Sequence, residues 1–147
     1  QWLRHPYLDF KPPKSTGREE FGSELMKTWL NEAKSAGLSL PDLMATLTAF
    51  TAESINRAYR DHLPSLPIES FLSGGGSFNK ALRKQIERRL PEIHFRDFSE
   101  LGQPAEAREA IGFSVLGNQF LMGESTTFPS ITGNQSSVIL GKLSLPH

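Results

Sequence analysis

At 147 residues, 37% hydrophobic and 10% aromatic, the chain has material for one cored domain rather than two and lacks the composition of a disordered protein. Sixteen Lys and Arg balance sixteen Asp and Glu, so no global field recruits nucleic acid or an anionic membrane, and partners must be sought in local sites. The absence of cysteine excludes disulfide frameworks, thiolate zinc sites and cysteine nucleophiles, and fits a reducing cytoplasmic setting.

Gln1 stands where an initiator Met would, and Gln1 to Pro6 has neither a signal-peptide nor a transit-peptide layout; the chain reads as a fragment or processed product of a larger molecule. Pro6, Pro12 and Pro13 among aromatic residues predict an ordered loop over residues 1–18, held by aromatic anchors. A first helix is predicted from about Glu19 through Phe21, Leu25, Trp29 and Leu30, with Gly37 just past its end. Pro41 opens a second helix whose Leu43, Leu47, Phe50, Ile55 and Tyr59 share a face, and Pro64 and Pro67 close it.

Ile68 to Leu72 is predicted as a short buried strand running into a glycine turn. A helix follows over Asn79 to Leu90, with Leu82, Ile86 and Leu90 on one face and Pro91 as its stop. Ile93 to Phe98 alternates with period two and predicts a second strand. Pro104 to Met122 is predicted helical, its Ala105, Ala107, Ala110, Gly112, Ser114 and Gly117 allowing close approach of another element. Residues 127–133 read as loop and 138–143 as a short terminal strand. The most apolar stretch, Ile111 to Gly123, falls short of the about 20 residues a bilayer span needs.

Two strands separated by a helix predict a parallel pair in an α/β layer. A parallel pair needs cover on both faces, so further strands are expected upstream in the complete protein.

The sharpest local feature is Ser73-Gly74-Gly75-Gly76-Ser77-Phe78-Asn79, between a strand and a helix N-terminus, where free N–H groups and the helix dipole accept anions. A tight turn needing positive φ is the structural alternative. A P-loop is excluded, because no Lys-Ser or Lys-Thr follows the glycines. A dinucleotide fingerprint half-matches through Gly74, Gly76 and Asp97, with Asn79 where the third glycine belongs. Lys14, Ser15, Thr16 and Arg18 form a compact set of donors for an anion, although Thr16 to Glu19 also has capping-box spacing. The basic residues Lys80, Arg83, Lys84, Arg88 and Arg89 read as a solvated helix face, since no aromatic interleaving suggests base stacking. His5, His62, His94 and His147 lack the spacing of a helical zinc site, and no structural metal is assigned.

Four separated segments carry a wider resemblance: Pro13-Lys14-Ser15-Thr16-Gly17-Arg18-Glu19, the run Thr46 to Ile55, the run Glu109 to Gly117, and Thr127-Phe128-Pro129-Ser130-Ile131-Thr132-Gly133. In this order, with the glycine triplet and Asn79 between them, the chain resembles the C-terminal half of anhydro-N-acetylmuramic acid kinases over nearly all of residues 3–145. The resemblance implies an α/β fold, a partial actin-like ATPase (ribonuclease-H-like) lobe with a short parallel sheet covered by helices. On this basis residues 1–147 form a single C-terminal, nucleotide-binding lobe. It implies an enzyme that uses ATP and Mg²⁺ to open the 1,6-anhydro ring of anhydro-N-acetylmuramic acid with water and phosphorylate O6. The catalytic aspartate and phosphate loop are expected in the N-terminal part, so this chain alone is expected to be inactive.

By the same resemblance Gly74, Gly75, Gly76 and Asn79 bind the nucleotide and Glu109 hydrogen-bonds the sugar. For Glu109 the competing reading is a first-turn carboxylate stabilised by a helix dipole. The implied partners are a small-molecule sugar and ATP, with no nucleic acid and no membrane, and a homodimer is admitted. A non-catalytic nucleotide or sugar sensor and a dinucleotide-binding oxidoreductase fragment remain as alternatives.

Overall fold

The computed structural model describes residues 1–144; His147 lies outside the described residues. The main elements are α1 (Ser23–Ser35), α2 (Leu40–His62), β1 (Glu69–Leu72), α3 (Lys80–Arg89), β2 (His94–Asp97), α4 (Arg108–Met122) and α5 (Pro129–Thr132). Short 3₁₀ turns precede or join them, among them Trp2–Arg4, Pro6–Asp9 and Gly75–Phe78.

The two strands pair in parallel, with Ser70 opposite Phe95 and Leu72 opposite Asp97. Because side chains alternate, Ser70, Leu72, Phe95 and Asp97 share one face and Glu69, Phe71, His94 and Arg96 the other. The first face is covered by α2 and α3. Ala52 of α2, Ile86 of α3, Leu90, Ile93 and Phe95 form the buried core, with Ile55, Tyr59, Leu66, Leu72 and Leu82 packed against it. The Tyr59 hydroxyl meets Ser70 Oγ at 2.9 Å, giving the hydroxyl on this strand face a partner.

Among the described residues no helix covers the second face. There Arg96 lies 5.5 Å from the Phe71 ring centroid and bonds Glu69 and Glu100, so a charged lid shields the aromatic ring. The predicted buried strand is therefore only half-buried, and Ile68 at its start is 78% exposed.

Polar contacts tie α2 to the C-terminal end of α3. Arg89 bonds Glu53 at 3.0 Å, and Arg60 donates to the Arg89 carbonyl at 3.0 Å and to Glu92. Ser39 caps α2 by accepting from Asp42 N, with Pro41 in the first turn. The predicted second helix and both strands are present within a residue or two.

The N-terminal segment is held by aromatic contacts, as expected. Trp2 stacks on Trp29 at 4.5 Å and donates from Nε1 to Glu32, His5 packs on Phe21, and Trp29 meets Phe50 of α2 edge-on. Helix α1 ends as predicted: Gly37 has φ +69, and bonds from Gly37 N to Lys34 O and Leu38 N to Ala33 O complete the Schellman pattern. Its start is a correction. Residues 17–21 close on themselves through bonds from Glu20 N and Phe21 N to Gly17 O, and the helix begins only after Gly22. A Cβ at Gly22 would sit 1.8 Å from the Arg18 carbonyl oxygen, so the turn requires glycine there.

Three further expectations change in the C-terminal third. The predicted helix from Pro104 starts with a 3₁₀ turn, Ala105–Ala107, before α4 proper. The predicted loop 127–133 contains α5, opened by Pro129 and closed by Gly133 at φ +75. Among the described residues, 138–143 pair with no strand; instead the Val138 carbonyl accepts from Thr126 N and Ser125 Oγ, which pins the segment. No residue of α4 is buried, and Phe113, Leu121 and Met122 are largely exposed. No helix among the described residues is long and apolar enough to cross a membrane.

Leu90 is fully buried where α3 leaves for β2, so Leu90→Ala should destabilise the fold by about 2–5 kcal/mol. Urea denaturation measures this; a loss below about 1 kcal/mol would mean this junction is not the core.

Candidate functional site

The C-terminal end of β1 leads directly into the glycine triplet. Parallel strands of α/β folds present their ligand crevice at this end, beside the helix start that follows. Gly74 has φ +80, a conformation that side-chain-bearing residues rarely adopt. Its carbonyl accepts from Ser77 N at 3.0 Å and Ser77 Oγ at 2.7 Å, and the Gly76 carbonyl accepts from Asn79 N at 3.1 Å. The turn's carbonyls are thus drawn inward.

Gly75 and Gly76 are different. Neither has positive φ, a Cβ at Gly75 would meet nothing within 4 Å, and one at Gly76 would make only ordinary contact with Leu82 at 3.8 Å. Both are exposed. The internal fold therefore requires glycine at Gly74 alone, and the other two leave bare backbone facing open space.

Asn79 is the N-cap of α3. Its Oδ1 accepts from Ala81 N and Leu82 N, both at 3.1 Å. This alters the sequence expectation: two of the N–H groups that an anion would use are already taken by the cap. What the turn offers outward at Gly75 and Gly76 is bare backbone, flanked by the exposed Phe78 ring, rather than a ring of free donors.

Arg83 lies one turn into α3. Its Nε donates to Glu87 at 2.9 Å, Nη1 to Asp97 at 2.7 Å and Nη2 to the Phe95 carbonyl at 2.9 Å. The Glu87 hydrogen bond, outweighing burial, holds the guanidinium above its ordinary pKa, with Asp97 adding to the effect. One oxygen of Asp97, the acid of the dinucleotide half-match, is therefore engaged by Arg83. Just beyond, Glu100 accepts from Asp97 N at 2.9 Å and pairs with Arg96, which together hold its carboxyl below the ordinary value of 4.5.

The remaining candidates lie elsewhere. Glu109 is in the first turn of α4, 80% exposed, with Arg108 at 3.8 Å. No hydrogen bond or ion pair among the described residues joins it to the glycine turn. Lys14 is not a free anion donor: its ammonium bonds the Tyr7 and Leu8 carbonyls at 3.3 and 3.4 Å and lies over the Tyr7 ring. Thr16 does not cap a helix, because α1 starts seven residues later behind Gly22. Sequence reading missed Ser77 and Arg83. A serine three residues after Gly74 is a recognisable turn signal, whereas Arg83 looked like one more cation on a solvated face.

A family model for anhydro-N-acetylmuramic acid kinase matches residues 1–146. The chain belongs to the anhydro-N-acetylmuramic acid kinase family. It is 44% identical over 143 residues to an anhydro-N-acetylmuramic acid kinase of Cyanothece sp., covering 97% of this chain and 38% of that relative. One from Francisella tularensis subsp. novicida is 42% identical over 143 residues (96% and 37%), and one from Bacillus cereus 39% over 148 residues (98% and 38%). The chain thus spans less than two fifths of the length of these anhydro-N-acetylmuramic acid kinases.

Two measurements follow from this geometry. Asn79→Ala should cost about 0.5–2 kcal/mol in chemical denaturation, with Asn79→Asp retaining most of the cap; equal losses would mean the side-chain oxygen is not what holds α3. Glu100 titrates below its unfolded value, so its contribution is present above that value and lost as pH falls through the folded pKa. Glu100→Gln should make the decline in stability between about pH 6 and pH 3 shallower, as read by thermal melts.

Proposed function

We propose that this chain is the nucleotide-binding lobe of an actin-like sugar kinase, and that the complete protein phosphorylates anhydro-N-acetylmuramic acid. In that reaction water opens the 1,6-anhydro bridge at C1, O6 takes the γ-phosphoryl group of ATP, and ADP leaves. The observation that carries the reading is the open glycine pair Gly75 and Gly76 at the C-terminal end of β1, in a chain of this family. A backbone surface without side chains lets a nucleoside pack closely, and glycine there has no role in the chain's own packing. Gly74 supplies the turn, and Asn79 holds the helix start beside it.

The residues fit a nucleoside better than a phosphate, since Asn79 already occupies N–H groups of the α3 terminus. The polyphosphate is then met by the part of the enzyme outside this chain, in the cleft between two lobes. Mg²⁺ neutralises phosphate charge and would come with ATP. No group of three or more Asp, Glu or His among the described residues is arranged to hold it. Glu109, exposed on α4, is the sugar-binding carboxylate on this reading: it accepts from sugar hydroxyls and orients the ring. The compartment is the cytoplasm, which supplies ATP.

Calorimetric titration with Mg-ATP, paired with an assay of ATP-dependent phosphorylation of anhydro-N-acetylmuramic acid in the full-length protein, tests the proposal. Nucleotide binding here with turnover in the full-length protein supports it; no ATP binding by either defeats it. Gly75→Val should weaken Mg-ATP binding by about tenfold or more by crowding the nucleoside, with little change in melting temperature because, chain neighbours aside, an added Cβ meets no atom within 4 Å. Glu109→Gln should weaken sugar affinity and spare nucleotide affinity; loss of both together would point to misfolding.

A further inference from the structure

The glycine turn is shaped from within but attached to the rest of the protein at few points. Bonds from Ser77 to Gly74 and from Asn79 to Gly76 set its curvature without fixing its position. Gly75, Gly76, Phe78 and Asn79 are exposed. On one side the turn continues from β1, which the ladder to β2 fixes. On the other side it continues into α3, where Leu82 reaches the core and Arg83 reaches β2.

We propose that Arg83 is a positioning residue that clamps the glycine turn to the C-terminal end of β2 and thereby sets nucleotide affinity; this rests on the nucleotide reading of the turn. Each guanidinium nitrogen has its own acceptor: Nε the Glu87 carboxylate, Nη1 Asp97, and Nη2 the Phe95 carbonyl. Asp97 is in register with Leu72, two residues before Gly74. The bond from Arg83 to Asp97 therefore closes a ring through Leu72, the glycine turn and the first turn of α3. A planar three-way fork fixes direction as well as distance, which a lysine ammonium on a flexible stem does not. The Arg83 and Asp97 side chains are 29% and 57% exposed, so the pair adds little to global stability. Its effect falls on where the turn sits.

Arg60 provides the matched control. It ties the far end of α3 through the Arg89 carbonyl and Glu92, away from the glycines. Calorimetry with Mg-ATP and urea denaturation on the full-length protein carrying this chain compare the two. Arg83→Gln should weaken Mg-ATP binding about tenfold, Arg83→Lys by less, and Arg60→Gln by no more than about twofold, with similar small shifts in urea midpoint. Asp97→Asn, which weakens the same contact from the other side, should weaken binding in the same direction.

Wild-type affinity in Arg83→Gln, or an equal loss in Arg60→Gln, overturns the clamp. If Gly75→Val weakens binding while Arg83→Gln does not, the clamp alone fails and the turn keeps its nucleotide role. If wild type does not bind, or Gly75→Val binds as wild type does, the nucleotide reading fails and the clamp falls with it.

Discussion

Everything that positions the glycine turn depends on α2 and α3 packing together over one face of two short strands. Ala52 makes the approach possible: a small residue, fully buried, at the point where Ile86, Leu90, Ile93 and Phe95 converge. A larger side chain there would separate the helices and lift α3 from the sheet. Since α3 begins immediately after the glycines, that displacement would be transmitted to the turn. The polar ties from Arg60 and Arg89 act at the far end of α3 and Arg83 at the near end. Hydrophobic burial draws the elements together, while the arginine forks fix the direction in which they meet.

The site has a division of labour that follows from this packing. Gly74 answers a conformational demand of the chain itself, whereas Gly75 and Gly76 answer none. Asn79 uses its side chain to start the helix and thereby withdraws donors from any anion. On the proposed nucleotide reading, this surface suits a flat, weakly charged group, with charge recognition left to other residues. This separation accords with a ligand whose base and phosphates are held by different parts of a larger molecule.

Local signals were legible where one short segment determines one element. Pro41 and Ser39 start α2, Gly37 closes α1, and the alternation around His94 to Asp97 gives β2. The glycine turn was legible for the same reason. Expectations failed where a remote contact decides the outcome. The segment 138–143 has strand-like residues but no partner strand among the described residues, whereas the late start of α1 is a local effect of residues 17–21 folding back on Gly17. Arg83 and Asp97 were individually visible, yet their pairing depends on which sheet face α3 covers. The motif match identified the family, but assigning Glu109 a partner requires contacts outside this chain.

Helix α4 carries the chain's most apolar helical stretch, yet none of its residues is buried. A 15-residue helix containing Gly112 and Gly117 draws little stability from backbone propensity, and within this chain only Leu116, Gln119 and Phe120 are part-buried to support it. Within this chain two tiers of stability are therefore expected: the layer of α2, α3 and the strands shares the buried core, while α4 contributes no buried residue to it. Amide exchange would then register two cooperative units rather than one. If Glu109 binds sugar as proposed, its carboxylate rides on the weaker unit, and that recognition would be coupled to ordering of α4 while the glycine turn keeps its shape.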